Sequence, residues 1–268
     1  MLLESSPLSH RESRTHRTDA SRGPVALPAA RQNRILAALP RADVERLLPH
    51  LEPVRLAPGQ VLHGAGQRRR HLFFLTEGIV ARIYETETGA SAAFAFTGNE
   101  GVVGVASFLG GESMPSRAVV ISPGSAYRLD ECLLQGEFAQ DGPLPHSLLG
   151  YTRSVLTQTG QIAVCNRRHS LERQFCRLML SCLDRLPSND LTMTQELISS
   201  LLGVLRESVT EVAGELQRAG HIHYHRGHIS VADRAGLEAR ACECYRALKR
   251  DIDRLPVRGS ASGSLGRQ

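Results

Sequence analysis

The chain has 268 residues, 41% of them hydrophobic and 22% charged, with a formal net charge of +5 and a pI of about 9.1. That length allows two domains, each with its own core. The Arg-rich, polar N-terminus does not resemble a secretory signal and no apolar run reaches 18 residues, so no leader or membrane span and a cytoplasmic protein with reduced thiols are expected. The basic balance leans towards an anionic partner, but residues 188–268 carry 11 Lys and Arg against 10 Asp and Glu. Nucleic-acid binding by that region would rest on a few well-placed arginines and not on bulk charge.

Residues 1–30, rich in Ser, Arg and Pro, read as a disordered tail. Two short helical stretches follow, Ile35, Leu36 and Leu39 marking the first and Val44, Leu47 and Leu48 the second, broken at Pro40. From Glu52 the period changes. The runs EPVRLAPGQVLHGAG, HLFFLTEGIVARIYE, GASAAFAFTGNEG and SRAVVISPGSAYRLD are strand-like and punctuated by glycine, a pattern that predicts a sandwich or barrel. Gly59, Gly78, Gly89 and Gly98 are expected at tight turns with positive φ.

After Pro145 a helical period returns. Leu148, Val155 and Ile162 recur at intervals of seven, with Leu149, Leu156 and Ala163 beside them. This two-column stripe predicts a long helix that either pairs with a partner helix or packs on the β domain. A second helix is expected from about Leu171 to Leu186, then a PSND loop. The segment LTMTQELISSLLGVLRESVTEVAGELQRAGHI holds two amphipathic helices split at Gly203. Thr194 is placed to cap the first, and Gly220 to close the second. Val209, Val212, Ala213 and Leu216 fall on one face of the second helix, with Arg206, Glu207, Thr210 and Glu211 opposite. A hairpin signal, HIHYHRGHISV, follows directly. A helix-turn-helix and then a wing is the reading that results. The chain ends in a Gly/Ser-rich tail.

The stretch from about Asn33 to Tyr245 resembles the Crp/Fnr family of bacterial transcription regulators. LAPGQVLHGAG, LFFLTEGIVARIY, GNEGVVG, SRAVV and above all TQELISSLLGVLRESVTEVAGELQRAG carry the resemblance. It implies an α+β fold: a tail over 1–30, a cyclic-nucleotide-binding-like β-roll (jelly-roll) sensor over 31–143 and a dimerisation helix over 144–167. A winged helix-turn-helix over 168–236 and a C-terminal helix with flexible tail over 237–268 complete it. Implied with it are a homodimer, double-stranded DNA read in the major groove, and RNA polymerase as a candidate partner. On the residues themselves, the Arg206 fork matches guanine O6 and N7, and the Glu207 carboxylate can accept from cytosine N4. Thr194, Gln195 and Ser208 are placed for phosphates at helix N-termini, while Thr210, Glu211, His225 and Arg226 complete the expected DNA face. Two features depart from the family. Leu205 is apolar just ahead of Arg206, and Glu211 stands where members often carry a basic residue. Glu207, Glu211 and Glu215 form a stripe that would repel phosphate if it faced DNA, unless Glu215 and Glu211 face solvent or pair with Arg218.

The sensor departs further. Cyclic-nucleotide binders of the family place a glycine–glutamate pair on the ribose and an arginine, a small residue and an alanine on the phosphate. Here Gly104 is followed by Val105, and the later stretch reads Ser116-Arg117-Ala118. Gly104, Ser116 and Arg117 remain the candidate contacts for an effector of unidentified chemistry, and tight binding of cyclic AMP is not expected. No metal or cofactor is expected. The histidines at 221, 223, 225 and 228 suit DNA backbone or solvent better than a metal. Cys242-Glu243-Cys244 is too short for a zinc half-site and has no evident second pair, and no N-terminal cysteine group suits an iron–sulfur cluster. His63 and His71 could ligate haem, though no spacing selects either. No nucleophile elbow, P-loop or H-E-x-x-H motif marks an enzyme. The competing reading is a small-molecule or metal (haem) sensor that acts through protein contacts with weak or vestigial DNA binding.

Overall fold

A computed structural model describes residues 25–255 except 69, 111, 112 and 141. Residues 1–24 of the tail assigned to 1–30, and the chain from 256 with its Gly/Ser-rich end, lie outside the described residues. The tail reading overshoots its C-terminal end, because α1 (Leu27–Ala30) is helical and buries Ala30. Pro40 separates α2 (Arg34–Ala38) from α3 (Arg41–Leu47), as its missing N–H and fixed φ require. Asn33 caps α2, and its amide nitrogen donates to the carbonyls of Leu75, Asn99 and Gly101, which pins this helical lead to the sheet.

The strands β1 (Glu52–Leu56), β2 (Val61–His63), β3 (His71–Glu85), β4 (Ser91–Thr97), β5 (Val102–Val103) and β6 (Arg117–Asp130) form one antiparallel sheet. Its order is β1-β6-β3-β4, with β2 on β6 and β5 on β3. The long β3–β6 pair changes register between Leu75 and Val80. Alternation serves different cores on the two sides of that irregularity: Leu72 and Phe74 face the core shared with α1–α3, Phe73 and Leu75 face the roll interior, and Ile79, Ala81 and Ile83 turn towards the C-terminal domain. Gly59, Gly78 and Gly89 have positive φ, as expected, but Gly98 does not. Gly98 is needed for closeness instead: a Cβ there would stand 2.8 Å from a Glu100 carboxylate oxygen and 2.9 Å from Arg185 Cγ.

Beyond α4 (Glu131–Ala139), α5 runs from Pro143 to Arg168, with proline at its first turn and arginines at its last, both favourable there. The two columns of its stripe separate. Leu148, Val155 and Ile162 are buried within the protein's own core, which corrects their pairing with a partner helix. Leu149, Leu156 and Val164 are the large apolar residues left outside, at 48%, 69% and 54% exposure, and Ala163 is exposed with them. The Gln158 side chain pairs with both the N–H and the C=O of Phe96, so α5 covers the free edge of β4.

α6 (Leu171–Leu183) is buried over most of its length and ends one turn short of Leu186. It leads through β7 (Asp190–Thr192), a strand inside the expected loop region, into α7 (Gln195–Leu202), α8 (Arg206–Arg218), and the hairpin β8 (Ile222–His225) and β9 (His228–Val231). α9 (Arg234–Arg240) and α10 (Glu243–Asp253) complete the chain. α10 lies on α5, where Asp251 accepts from Arg153 (3.1 Å) and Ser154 (2.5 Å). The winged domain does not hang free. Ile79, Ile83, Ala93 and Phe96 of the sheet share one apolar core with Phe175, Leu178, Ile198 and Leu201.

Candidate DNA interface and effector site

The Thr194 hydroxyl caps α7 by accepting from the Leu197 N–H at 3.1 Å. Gly203 takes the left-handed conformation (φ 70°, ψ 38°) that ends α7 and aims α8. A side chain there would be strained, and its Cβ would stand 3.1 Å from Ala92 Cβ on β4. α8 then buries Val209, Val212, Ala213 and Leu216 and leaves Arg206, Glu207, Thr210 and Glu211 exposed, with Ser208 half-buried. The Thr210 hydroxyl lies 2.9 Å from Gln195 Oε1 and 3.0 Å from the Arg206 carbonyl. That contact ties the two helices and leaves the Gln195 NH₂ available as a donor.

The β8–β9 hairpin turns through Arg226 (φ 47°) and Gly227 (φ 82°), both left-handed, with His225 paired to His228. Two positive φ values define the tight turn that matches strand twist. Arginine is an unfavourable choice at the first of them, costing about 1–2 kcal/mol relative to residues that tolerate this region. An open groove of about 410 Å³ lies between the hairpin and the helices, lined by Thr194, Gln195, Glu196, Arg206, Tyr224, Arg226 and Gly227. Four of the residues singled out in the sequence thus share one concavity. Tyr224 was passed over. Its hydroxyl donates to the Met193 carbonyl (2.9 Å) and its N–H to Gln217 (2.7 Å), and only its alternation with the wing histidines hinted at it. Glu207, Glu211 and Glu215 are exposed, and among the described residues none is ion-paired, so Glu215 does not engage Arg218. His221 serves the fold instead of the surface: it accepts from Arg240 (2.9 Å) and stands 2.9 Å from Asp233.

In the β-roll, Gly104 is left-handed (φ 115°) at the start of a short 3-10 turn, Val105–Phe108. A Cβ at Gly104 would meet the His71 carbonyl at 2.9 Å and His63 Nε2 at 3.4 Å. His63 in turn pairs across to Ala118 and stacks edge-on against Phe73. The Gly104 turn and the Ser116–Ala118 strand entry therefore meet at His63. Val105 and Ser116 are buried, whereas the Arg117 guanidinium lies beside Glu85 at 3.4 Å on a half-exposed face. Arg82, opposite Ala118 on β3, is the buried arginine of this region, donating to the Val102 carbonyl at 3.0 Å. Burial pushes its pKa down, with Tyr151 opposing.

The two domains meet through a buried ion pair. Arg185 Nε stands 2.8 Å from Glu100, with side-chain exposures of 4% and 3%. Arg185 also donates to the carbonyls of Ser181 and Phe96, and Glu100 accepts from the Gly98 N–H. Burial works against the guanidinium's charge, but Glu100, together with Cys182 and Tyr151, offsets it and holds the Arg185 pKa above its usual value.

The cysteines depart from expectation. Cys242 and Cys244 do have a second pair: Cys165, at the end of α5, and His169, just past it, converge on them. The two halves lie 77 and 75 residues apart in the chain.

Comparison with known proteins follows the same two-part division. Residues 53–141 match the cyclic nucleotide-binding domain, and residues 173–240 match the Crp-like helix-turn-helix domain. No curated protein matches. Among solved structures, FixK2 from Bradyrhizobium japonicum is 17% identical with a TM-score of 0.62, over 72% of this chain and 98% of that one. The c-di-GMP-responsive global regulator CLP from Xanthomonas campestris is 18% identical with a TM-score of 0.58, over 72% and 99%. A CRP-family transcriptional regulator from Thermus thermophilus is 21% identical with a TM-score of 0.58, over 70% and 95%. At these identities the likeness is one of fold. Among the described residues no helix is long and apolar enough to cross a membrane.

Proposed function

The chain belongs to the Crp/Fnr family of DNA-binding transcription regulators, and we propose that it works in the cytoplasm as a homodimer on palindromic double-stranded DNA, under a small effector held by the β-roll. The groove that gathers Thr194, Gln195, Arg206 and Arg226 carries this reading. Arg206 and Glu207 open α8 on its solvent face, one residue apart, so both can enter a major groove together. Thr194 and Gln195 at the start of α7, with Ser208, supply phosphate contacts, and Thr210, Glu211, His225 and Arg226 border the same surface. The exposed Leu149, Leu156 and Val164 line one face of α5, with Gly160 and Ala163 small enough for a second helix to approach. Two chains joined there would present their α8 helices to half-sites about 10 base pairs apart or a multiple of that. RNA polymerase is the partner such a regulator would engage.

For the effector, Gly104, Ser116 and Arg117 bound the turn that meets His63, but Val105 offers no carboxylate to ribose hydroxyls and Arg117 is engaged with Glu85. An effector other than cyclic AMP follows from that pairing. The decisive experiment is a randomised-site selection with wild-type protein and Arg206→Ala. Arg206→Ala should lose about 1–3 kcal/mol at the selected site and relax one symmetric base position. An unchanged site preference would refute Arg206 as a reader. No specific retardation of any fragment at low salt would favour a sensor acting through protein contacts.

A further inference from the structure

We propose that Cys165, His169, Cys242 and Cys244 bind a single zinc ion that fastens the last helix, α10, to the end of α5. Their four ligand atoms all lie within 4.8 Å of one another. Cys165 Sγ is 3.5 Å from Cys242 Sγ, and Cys244 Sγ is 3.5 Å from His169 Nδ1. A tetrahedron with zinc–sulfur bonds of about 2.3 Å has edges of about 3.8 Å, so those two pairs are within a few tenths of an ångström of that edge and the widest separation exceeds it by no more than about 1 Å. Three sulfurs and one imidazole form one of the recurrent closed zinc sets, and soft thiolates disfavour magnesium, calcium or manganese. An iron–sulfur cluster would put several metal atoms between its ligands and hold them farther apart than this.

The surroundings favour the metallated set over four independent side chains. His169 Nε2 stands 3.3 Å from Glu243, so a proton on Nε2 is held by that carboxylate and the Nδ1 lone pair is left for a metal. Gln161 donates to Cys244 Sγ at 3.0 Å, and Arg177 Nε donates to Cys165 Sγ at 3.2 Å. Both contacts suit thiolates. Arg177 is 2% exposed, one of its nitrogens (Nη1) has no hydrogen-bond partner, and among the described residues it has no carboxylate partner. A buried, unpaired guanidinium is costly. Three thiolates, one imidazole and Zn²⁺ sum to one negative charge beside it, which supplies the missing counter-charge. Cys242 is the N-cap of α10, so its position is fixed by the start of that helix. The two halves of the site come from helices that pack on one another, so one ion would join the helix that links the domains to the helix that ends the described chain.

The test is metal analysis of the full-length protein, prepared under reducing conditions without a histidine tag. One equivalent of zinc per chain is expected. Cys165→Ser and Cys242→Ser should each lose it, while Cys132→Ser and Cys182→Ser, outside the cluster, should keep it. Because the ligand variants could misfold, wild-type protein stripped of metal and titrated with cobalt(II) gives a second readout. Tetrahedral cobalt bands with thiolate charge transfer, saturating at one equivalent and bleached by zinc, are expected. Folded wild-type protein that carries no zinc and gives no such bands would overturn the site. So would iron with acid-labile sulfide, or full zinc content in both ligand variants.

Discussion

Truncating Arg185 tests how the two domains are held together. The guanidinium and the Glu100 carboxylate are nearly inaccessible to solvent, so water cannot screen the loss of either. In Arg185→Ala the carboxylate would remain buried with the Gly98 N–H as its contact, and the Ser181 and Phe96 carbonyls would lose a donor. Removing one member of a buried pair typically costs about 3–5 kcal/mol. At about 2–4 °C per kcal/mol for a chain approaching this size, the thermal midpoint should fall by roughly 6–20 °C. The double variant Glu100→Leu with Arg185→Met should recover most of that loss, because no unpaired charge is left inside. Thermal unfolding followed by circular dichroism on wild type, Glu100→Leu, Arg185→Met and the double variant gives the coupling. If Arg185→Ala shifts the midpoint by less than about 2 °C, or the double variant is as unstable as the sum of its parts, the pair does not hold the domains as argued.

Leu156→Glu together with Leu149→Glu should give a folded monomer by light scattering, whereas Val155→Glu, aimed inside the protomer, should unfold the chain; a dimeric Leu156/Leu149 variant would refute the α5 interface. Arg226→Asn keeps a residue that tolerates the left-handed region, so it should raise stability by about 1 kcal/mol while weakening DNA binding and flattening its salt dependence; unchanged DNA affinity would show that the wing tip does not contact phosphate. Burial pushes the Cys176 and Cys182 thiols up to about 12 and keeps them from reagents, whereas Cys132 is exposed. Brief iodoacetamide treatment read by peptide mass mapping should therefore label Cys132 ahead of both, and equal labelling would contradict the packing of α6.

Local periodicity made the reading head legible. Val209, Val212, Ala213 and Leu216 recur at the helical period, Gly203 and Gly220 mark the ends, and the Arg226–Gly227 turn follows at hairpin spacing, so the sequence itself states which face is buried. The stripe on α5 was legible as a stripe but not as a direction. Columns one residue apart, Leu148/Val155/Ile162 and Leu149/Leu156, are equally apolar, and only the sheet and α10 decide which of them is covered. Gly98 was misread for a related reason: a close approach by Arg185 and a positive φ both select glycine, and sequence cannot separate them.

The cysteine cluster shows the limit most sharply. Cys165 and His169 lie four residues apart where a helix ends, and Cys242 and Cys244 lie at the start of another, so neither half has a spacing that stands out. What brings them together is the docking of α10 along α5, fixed by contacts remote from the sulfurs: Asp251 on Arg153 and Ser154, and Arg34 reaching the Ile252 and Leu255 carbonyls. Those contacts set the register of α10 whether or not an ion is present. The ligands are thus held near one another in advance, and an ion binding there meets less ordering cost than it would in a flexible chain. The outer column of α5, Leu149 and Leu156, stays exposed beside that docking. A closed metal site and an apolar seam would together stiffen the helix that leads from the β-roll towards the DNA-binding domain.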